Sequence, residues 1–198
     1  FPMSTGVFVP VKSMKQFEFM ASKFCCVFDV EITNIFAKSE NENPISVSKC
    51  FVKENVSENN GRLVCAKKIC MTITEIDYKV FSQFYTWEQI RIGRMICYRK
   101  EYLPTEFVES ILHLYEMKTK LKGVKGKEVE YLNSKEMLNS CYGMCVTNPL
   151  RDEILCDGET WDIEHLTGEK QLEMLNKYND SKNRFLFYPW GIYVTAYA

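Results

Sequence analysis

The sequence predicts an α+β protein, in which a mixed, mainly antiparallel α/β module precedes a two-helix hairpin and a small β-hairpin with a further helix. In the first hundred residues apolar and polar side chains alternate in several places, as they do on half-buried strands. After Leu103-Pro104 the apolar residues recur instead with the period of an amphipathic helix. Asp157-Gly158, further along, is typical of a tight hairpin turn. Strands and helices in this order favour segregated α and β elements.

The composition is that of a globular protein. The chain has 198 residues, of which 46% are hydrophobic and 26% charged. Its 25 basic and 26 acidic residues give a net charge of −1, so any attraction for nucleic acid must be local. No apolar run of about 18 residues and no signal peptide is present, which predicts a cytoplasmic protein without membrane contact. Because the chain starts at Phe1 and stops at Ala198 without a polar tail, we expect a fragment of a longer protein.

The nine cysteines and two histidines do not form a zinc-binding pattern. Pairs such as Cys65 and Cys70, or Cys141 and Cys145, lack the repeated short spacing that tetrahedral zinc sites use. We therefore predict unpaired, mostly buried thiols in a reducing compartment, and no metal bound by this chain.

Four elements account for most of the first module. Residues 24–35 alternate, with Phe28, Val30 and Ile32 on one side, which predicts a half-buried strand. A second candidate strand covers 45–52, and Asn60-Gly61 predicts a turn before a third strand at 63–73. Thr74 to Asp77 fits a capping box that opens a short helix, and 87–98 reads as another strand.

Two helices follow Pro104. Thr105 is a candidate N-cap, and one apolar stripe runs to about residue 121, formed by Phe107, Ile111, Leu114 and Leu121. A second helix is predicted over 127–142, ended by Gly143 in the left-handed conformation.

The last fifty residues alternate between short elements. A β-hairpin is predicted around Asp157-Gly158, followed by a helix at 168–178, a loop at 179–183, a strand-like run at 184–188 and the start of a last helix after Pro189.

Three polar residues of the second helix share one face. Lys135, Asn139 and Tyr142 fall within roughly 60° at about 100° per residue. The opposite side, through which we expect this helix to be buried, carries small and apolar residues, namely Val129, Met137, Ser140, Cys141 and Met144. An amine, an amide and a phenol side by side suit a ligand with phosphate, a polar edge and a flat ring. A solvated helix face is the alternative.

Lysines dominate the predicted turn between the two helices. Lys118 lies on the apolar stripe, where it either snorkels or meets a phosphate beside Lys135. Five lysines without an acid fall in ten residues, which makes the tip either a solvated loop or a polyanion contact; they are Lys118, Lys120, Lys122, Lys125 and Lys127.

One motif resembles a known family. The stretch from Lys135 to Gly143, KEMLNSCYG, is similar to the K-x3-N-S-x-Y-G signature in the fingers of family B DNA polymerases. The segment 114–118, LYEMK, resembles the paired fingers helix, and 191–198, GIYVTAYA, resembles the segment before the final catalytic aspartates. The α/β insertion before the fingers, and the short link from the fingers to residues 191–198, resemble those of the protein-primed branch of bacteriophages, adenoviruses and linear plasmids. Cys141 replaces the more usual Leu of the signature.

The resemblance implies an organisation and a set of site residues. Residues 1–103 would hold the first terminal-protein region, 104–149 the fingers, 150–188 the second terminal-protein region, and 189–198 the start of the returning palm. Lys135 would act on the triphosphate as the catalytic cation, with Lys118, Asn139 and Tyr142 binding the nucleotide. Ser140 and Gly143 would be structural, and Lys120, Lys122 and Lys125 would contact DNA.

The implied partners are a dNTP, primer-template DNA and the terminal protein. The D-x-x-S-L-Y-P and D-T-D segments, which hold Mg2+ in this family, do not occur in the sequence. We therefore expect Mg2+ ligands outside this chain, and no polymerase activity from the chain by itself. The alternative is a non-catalytic α/β module that binds nucleic acid or protein.

Overall fold

A curled antiparallel sheet organises the first half of the chain. The computed structural model describes residues 1–3, 6–39, 43–146, 150–179 and 187–198. The chain divides into two compact units, Phe1–Glu101 with Tyr193–Ala198, and Tyr102–Ile192. The mixture of helices with an antiparallel sheet confirms the predicted α+β class. The assignment of segments to terminal-protein regions, fingers and palm stays a prediction.

The sheet of the first unit is built on three long strands. Its order is β1-β6-β2-β5-β3, and β4 also pairs with β5. The elements are β1 (Val7–Val9), α1 (Met14–Lys23), β2 (Cys25–Ala37), β3 (Val52–Glu54), β4 (Ser57–Asn59), β5 (Arg62–Thr74), α2 (Glu75–Phe84) and β6 (Tyr85–Tyr98). Every pairing is antiparallel.

The hydrophobic core lies between this sheet and the helices α1 and α2. Phe28 and Ile32 of β2 are buried, and the ring of Phe17 from α1 meets the ring of Phe28 edge-on at 4.8 Å. Tyr78 of α2 packs on the other edge of the cluster, 5.0 Å from Phe17. The apolar side chains of the alternating pattern in β2 therefore face the core, as predicted.

The predictions of three strands and of one capping box in this unit are confirmed. The strands predicted at 24–35, 63–73 and 87–98 appear as β2, β5 and β6. Thr74 Oγ1 accepts the Asp77 N–H at 3.2 Å, and the Asp77 carboxylate accepts the Thr74 N–H at 2.9 Å, which is the reciprocal capping box. Asn60 and Gly61 both have positive φ in the turn that joins β4 to β5.

The strand predicted at 45–52 is wrong. This segment contains a short 3-10 helix, Val47–Lys49, and the strand that pairs across Asn60-Gly61 is β4 instead. Before β3, the segment pairs with β5 only through a single antiparallel bridge, Ser46 with Arg62, among the described residues. Ile45 is fully buried and Val47 nearly so, so side-chain burial beside this one bridge explains the apolar pattern. Helix α1 and strand β1 were not predicted, although Ser13, whose hydroxyl accepts the Gln16 N–H, marks the start of α1.

The second unit contains the helical hairpin and a two-stranded sheet. Its elements are α3 (Thr105–Leu121), α4 (Glu128–Val146), β7 (Glu153–Cys156), β8 (Trp161–Glu164), α5 (Gly168–Asn179) and the first part of α6 (Phe187–Tyr197). The predicted hairpin at Asp157-Gly158 and the helices α3 and α5 are confirmed.

Three predicted element ends in this unit need correction. Thr105 is the first residue of α3, and Pro104 holds the N-cap position. Helix α4 continues through Gly143 to Val146, and Gly143 is not among the glycines with positive φ. Phe187 and Tyr188 belong to helix α6 and not to a strand. Residues 180–186, which hold most of the predicted loop and the rest of that strand, lie outside the described residues.

Candidate functional site

The two helices of the hairpin pack along stripes of half-buried side chains. The predicted stripe of α3 is confirmed, and Lys118 lies in register with it. The least exposed residues of this helix are Phe107, Ile111, Leu114, Lys118 and Leu121. In α4 they recur at alternating spacings of three and four, at Tyr131, Ser134, Leu138, Cys141 and Cys145. This spacing is typical of helices that pack nearly antiparallel.

The buried side of α4 is not the one predicted from the sequence. Val129, Met137 and Met144 are 70%, 58% and 68% exposed, and Ser140 is exposed as well. Of the residues expected to bury this helix, Cys141 alone is half-buried. Apolar residues lie all round α4, so its periodicity does not select one face, and packing against α3 decides instead.

The three residues of the predicted ligand face are exposed together. Helix α4 is continuous from 128 to 146, so Lys135, Asn139 and Tyr142 project from one side of it. That side lies roughly a quarter turn from the stripe that packs on α3. Tyr142 is 42% exposed, and Lys135 and Asn139 are exposed as well. An ammonium, a carboxamide and a phenol are therefore accessible side by side, while their ligand stays a prediction.

The two residues predicted to be structural are placed differently. Ser140 is exposed, so it does not help to bury α4. Gly143 is half-buried within the helix and does not end it.

Lys118 extends along the hairpin with its charge over an aromatic ring. Its Nζ lies 5.0 Å from the centroid of the Tyr115 ring, within the range of a cation–π contact. Lys118 is half-buried in register with the apolar stripe, which is typical of a snorkelling lysine. The contact with a phosphate stays a prediction.

The tip of the hairpin is positively charged. Gly123 and Gly126 turn the chain with φ of +76° and +80°. Lys120 lies 3.5 Å from Glu116, but this exposed pair neutralises the lysine weakly. Lys122 and Lys125 are exposed, and no carboxylate in the described ranges forms an ion pair with either.

The base of the hairpin is closed by residues whose packing the sequence did not predict. Trp190 is buried with its ring 5.5 Å from that of Phe107. A Cβ at Gly191 would stand 2.6 Å from Val146 Cγ1 and 3.1 Å from the Cys145 carbonyl oxygen. Helix α6 thus approaches the end of α4 so closely that glycine is required at 191. The glycine of the 191–198 motif was the available signal.

All five described aspartates have local hydrogen-bond partners, and that of Asp162 is the Ile163 N–H. Asp29 accepts the Thr72 hydroxyl at 2.6 Å, and Asp77 belongs to the capping box. Asp152 accepts the Leu166 N–H, and Asp157 accepts the N–H groups of the hairpin turn; both interactions hold the pKa of these carboxyls below the usual range. The described part of the chain has no group of three or more metal-ligating side chains. Nor does any helix within it have the length and apolarity needed to cross a membrane.

The fold is similar to that of part of a viral DNA polymerase. Superposition on Phi29 DNA polymerase complexed with primer-template DNA and incoming nucleotide substrates gives a TM-score of 0.60 at 13% identity, over 100% of this chain. The complex of the same enzyme with single-stranded DNA gives 0.58 at 14% identity over 100%, and a post-translocation binary complex gives 0.54 at 14% over 83%. Neither family profiles nor the sequences of curated proteins give a match.

The similarity covers a limited part of the polymerase. The present chain spans 31%, 30% and 26% of those three polymerase chains. At this level of identity the comparison establishes a shared fold, that of a polymerase segment.

Proposed function

We propose that the chain is an internal segment of a protein-primed family B DNA-directed DNA polymerase that replicates viral DNA in the host cytoplasm. One observation carries the proposal. The motif from Lys135 to Gly143 lies on an exposed helix of a hairpin, in a chain whose whole length shares its fold with part of a DNA polymerase. The non-catalytic module is the competing function. Reading the flanking coding sequence distinguishes them, because a polymerase requires an Asp-containing S-L-Y-P segment upstream and a D-T-D segment downstream.

The exposed face of α4 suits the incoming nucleotide. Phosphoryl transfer spreads negative charge over the phosphate oxygens, and fixed cations stabilise that charge. Lys135 binds the triphosphate and can donate a proton to the departing pyrophosphate, and Lys118 provides a second phosphate contact. Asn139 positions the nucleotide. Tyr142 packs its ring against the nascent base pair, an interaction that tolerates every base.

Magnesium binding belongs to the segments that flank this chain. The chain's own described aspartates are engaged locally and do not form a cluster that fits the ion. When bound, Mg2+ would supply positive charge that neutralises the developing negative charge of the phosphate groups. Within the first unit, the Phe1 ring lies 5.7 Å from that of Tyr197.

The hairpin β7–β8 is suited to the primer protein more than to DNA. Ile154, Trp161 and Ile163 share one face of this hairpin and are 69%, 75% and 55% exposed. Residues 151–164 contain six acids and one arginine, which repel a phosphate backbone. In the proposed polymerase this hairpin contacts the terminal protein.

The substitution Lys135→Ala tests the proposal in the full-length enzyme. We expect incorporation to slow by about 100-fold, because a cation aimed at the transferring phosphate is removed, while the affinity for primer-template DNA stays within about twofold. Single-turnover incorporation and DNA-binding titrations measure the two quantities. Lys15→Ala, which removes an exposed lysine of α1, is the control and leaves both unchanged. Equal losses of incorporation and DNA binding would reject the assigned role of Lys135.

A further inference from the structure

Glu75 is a buried carboxylate outside the helical hairpin. It is the first residue of α2, and it is 1% exposed. Glutamate is rarely buried without partners, because removing a charge from water is costly. The hydrogen bonds of Glu75 therefore indicate what this side chain does.

One oxygen of Glu75 continues the hydrogen bonding of the sheet. The pairing of β5 with β2 ends at Thr74 and Val27. The next amide of β2, that of Cys26, donates to Glu75 Oε2 at 2.9 Å instead of to a strand. The N-terminus of α2 also favours a negative charge at this position.

The same oxygen binds the last helix. The Tyr193 hydroxyl donates to Glu75 Oε2 and lies 3.3 Å from the Cys26 carbonyl oxygen. Tyr193 is fully buried, and burial together with the charge of Glu75 raises the pKa of its hydroxyl above the usual value. The hydroxyl therefore keeps its proton and remains the donor.

This hydrogen bond fixes the orientation of residues 193–198 on the first unit. The Tyr193 and Tyr197 rings both pack on Phe1, at 6.5 and 5.7 Å between centroids. Phe1 is held in turn by its carbonyl, which accepts the Glu101 N–H at 3.0 Å. Apolar rings alone allow a helix to slide or rotate, whereas the hydroxyl of Tyr193 must reach one oxygen.

The second carboxylate oxygen of Glu75 lowers the stability that this side chain can contribute. Within the part of the chain that the structure describes, Oε1 is buried without a hydrogen-bond partner. An apolar side chain of similar volume would avoid that cost, but it would leave the Cys26 N–H and the Tyr193 hydroxyl without their acceptor. A polar anchor at this position defines geometry more than it adds stability.

We propose that Glu75 is a positioning residue, which sets the orientation of the 193–198 segment through Tyr193. The proposal rests on the proposed function, in which this segment leads to the final catalytic carboxylates. A displacement of about 1 Å in such groups can cost about 100-fold in rate. Glu75 thus acts on the reaction through Tyr193, without touching the substrate.

Steady-state kinetics of the full-length enzyme test this role. With Glu75→Ala we expect kcat to fall by about 10- to 100-fold, with KM for the dNTP within about twofold. Glu75→Gln keeps an acceptor for both donors and should restore kcat to within about threefold of the wild type. Tyr193→Phe should lower kcat, and combining it with Glu75→Ala should add little, because both remove the same hydrogen bond. Glu18→Ala, an exposed acid of α1, should leave kcat unchanged.

Hydrogen exchange of the 193–198 amides provides the readout that is independent of activity. Exchange should accelerate in Glu75→Ala and Tyr193→Phe but not in Glu75→Gln or Glu18→Ala. Unaltered exchange, or a Gln variant as impaired as the Ala variant, would overturn the positioning role. If Glu75→Ala fails to fold, Tyr193→Phe decides the question. A wild-type enzyme without Mg2+-dependent incorporation would instead reject the proposed function, and the exchange rates would still decide whether Glu75 holds the helix.

Discussion

At the scale of single residues, burial controls the chemistry of the thiols. Cys26 and Cys97 face each other across β2 and β6, with their sulfur atoms 3.5 Å apart. Both are buried, and burial raises the pKa of each thiol. The thiolate is the reactive form, so these two groups are poorly accessible and also protonated at neutral pH. Cys156 in β7 is exposed.

Thiol labelling checks this difference. We expect an alkylating reagent at neutral pH to modify Cys156 first, and to reach Cys26 and Cys97 after the protein is unfolded. Mass spectrometry of peptides from native and denatured samples measures the order. The variant Cys156→Ser removes the fast site and serves as the control. Rapid labelling of Cys26 in the native protein would show that this part of the sheet opens.

At the scale of elements, the position of Gly143 inside α4 has a measurable consequence. Its φ is not positive, and a Cβ there would meet no heavy atom within 4 Å among the described residues outside the helix's own backbone. Gly143→Ala should therefore stabilise the chain by about 0.5 to 1 kcal/mol. Gly158→Ala is the matched control, because φ is +98° there and alanine should destabilise the β7–β8 hairpin. Denaturant unfolding measures both. A destabilised Gly143→Ala variant would support a left-handed helix end at this glycine.

The lysine-rich tip is an element whose charge can be tested separately from Lys135. If the chain belongs to the proposed polymerase, neutralising Lys120, Lys122 and Lys125 should weaken DNA binding by that full-length protein. It should also reduce the salt dependence of binding by about 0.9 in slope for each phosphate that the tip no longer neutralises. Binding titrations at several salt concentrations measure the slope. Neutralising Lys15, Lys23 and Lys79, which lie on α1 and α2, is the matched control. If the slope of the salt dependence is unchanged, the tip does not contact DNA and is a solvated turn.

The sequence predicted elements well where local chemistry determines them. Alternation identified β2, the Thr74–Asp77 capping box identified the start of α2, and Asp157-Gly158 identified the second hairpin. The prediction failed where burial comes from packing. Ile45 is buried beside a single β-bridge and not within a strand, and the buried side of α4 is determined by its packing on α3. Helical spacing alone predicted that Lys135, Asn139 and Tyr142 lie on one side of α4, and their binding role stays a prediction.

At the scale of the whole molecule, interactions between distant residues were beyond sequence reasoning. Glu75 and Tyr193 are 118 residues apart, and nothing local marks either one as a partner of the other. The predicted capping box placed Glu75 at the helix start but could not show that it faces inward. Likewise, the glycine at 191 signalled a close approach of the backbone to a neighbour, but nothing local identified that neighbour as the end of α4.

The carboxylates available in the whole chain determine whether the isolated chain can catalyse nucleotidyl transfer. Two-metal nucleotidyl transfer requires carboxylates on both ions, and the described aspartates of this chain are committed to caps, turns and strand contacts. We expect no primer extension when the 198-residue chain is incubated with Mg2+, primed template and dNTPs. Denaturing gel electrophoresis of a labelled primer measures this. The full-length enzyme under the same conditions is the positive control. Robust extension by the isolated chain would mean that its own carboxylates bind the metal ions, and would overturn the assignment of those ligands to the flanking segments.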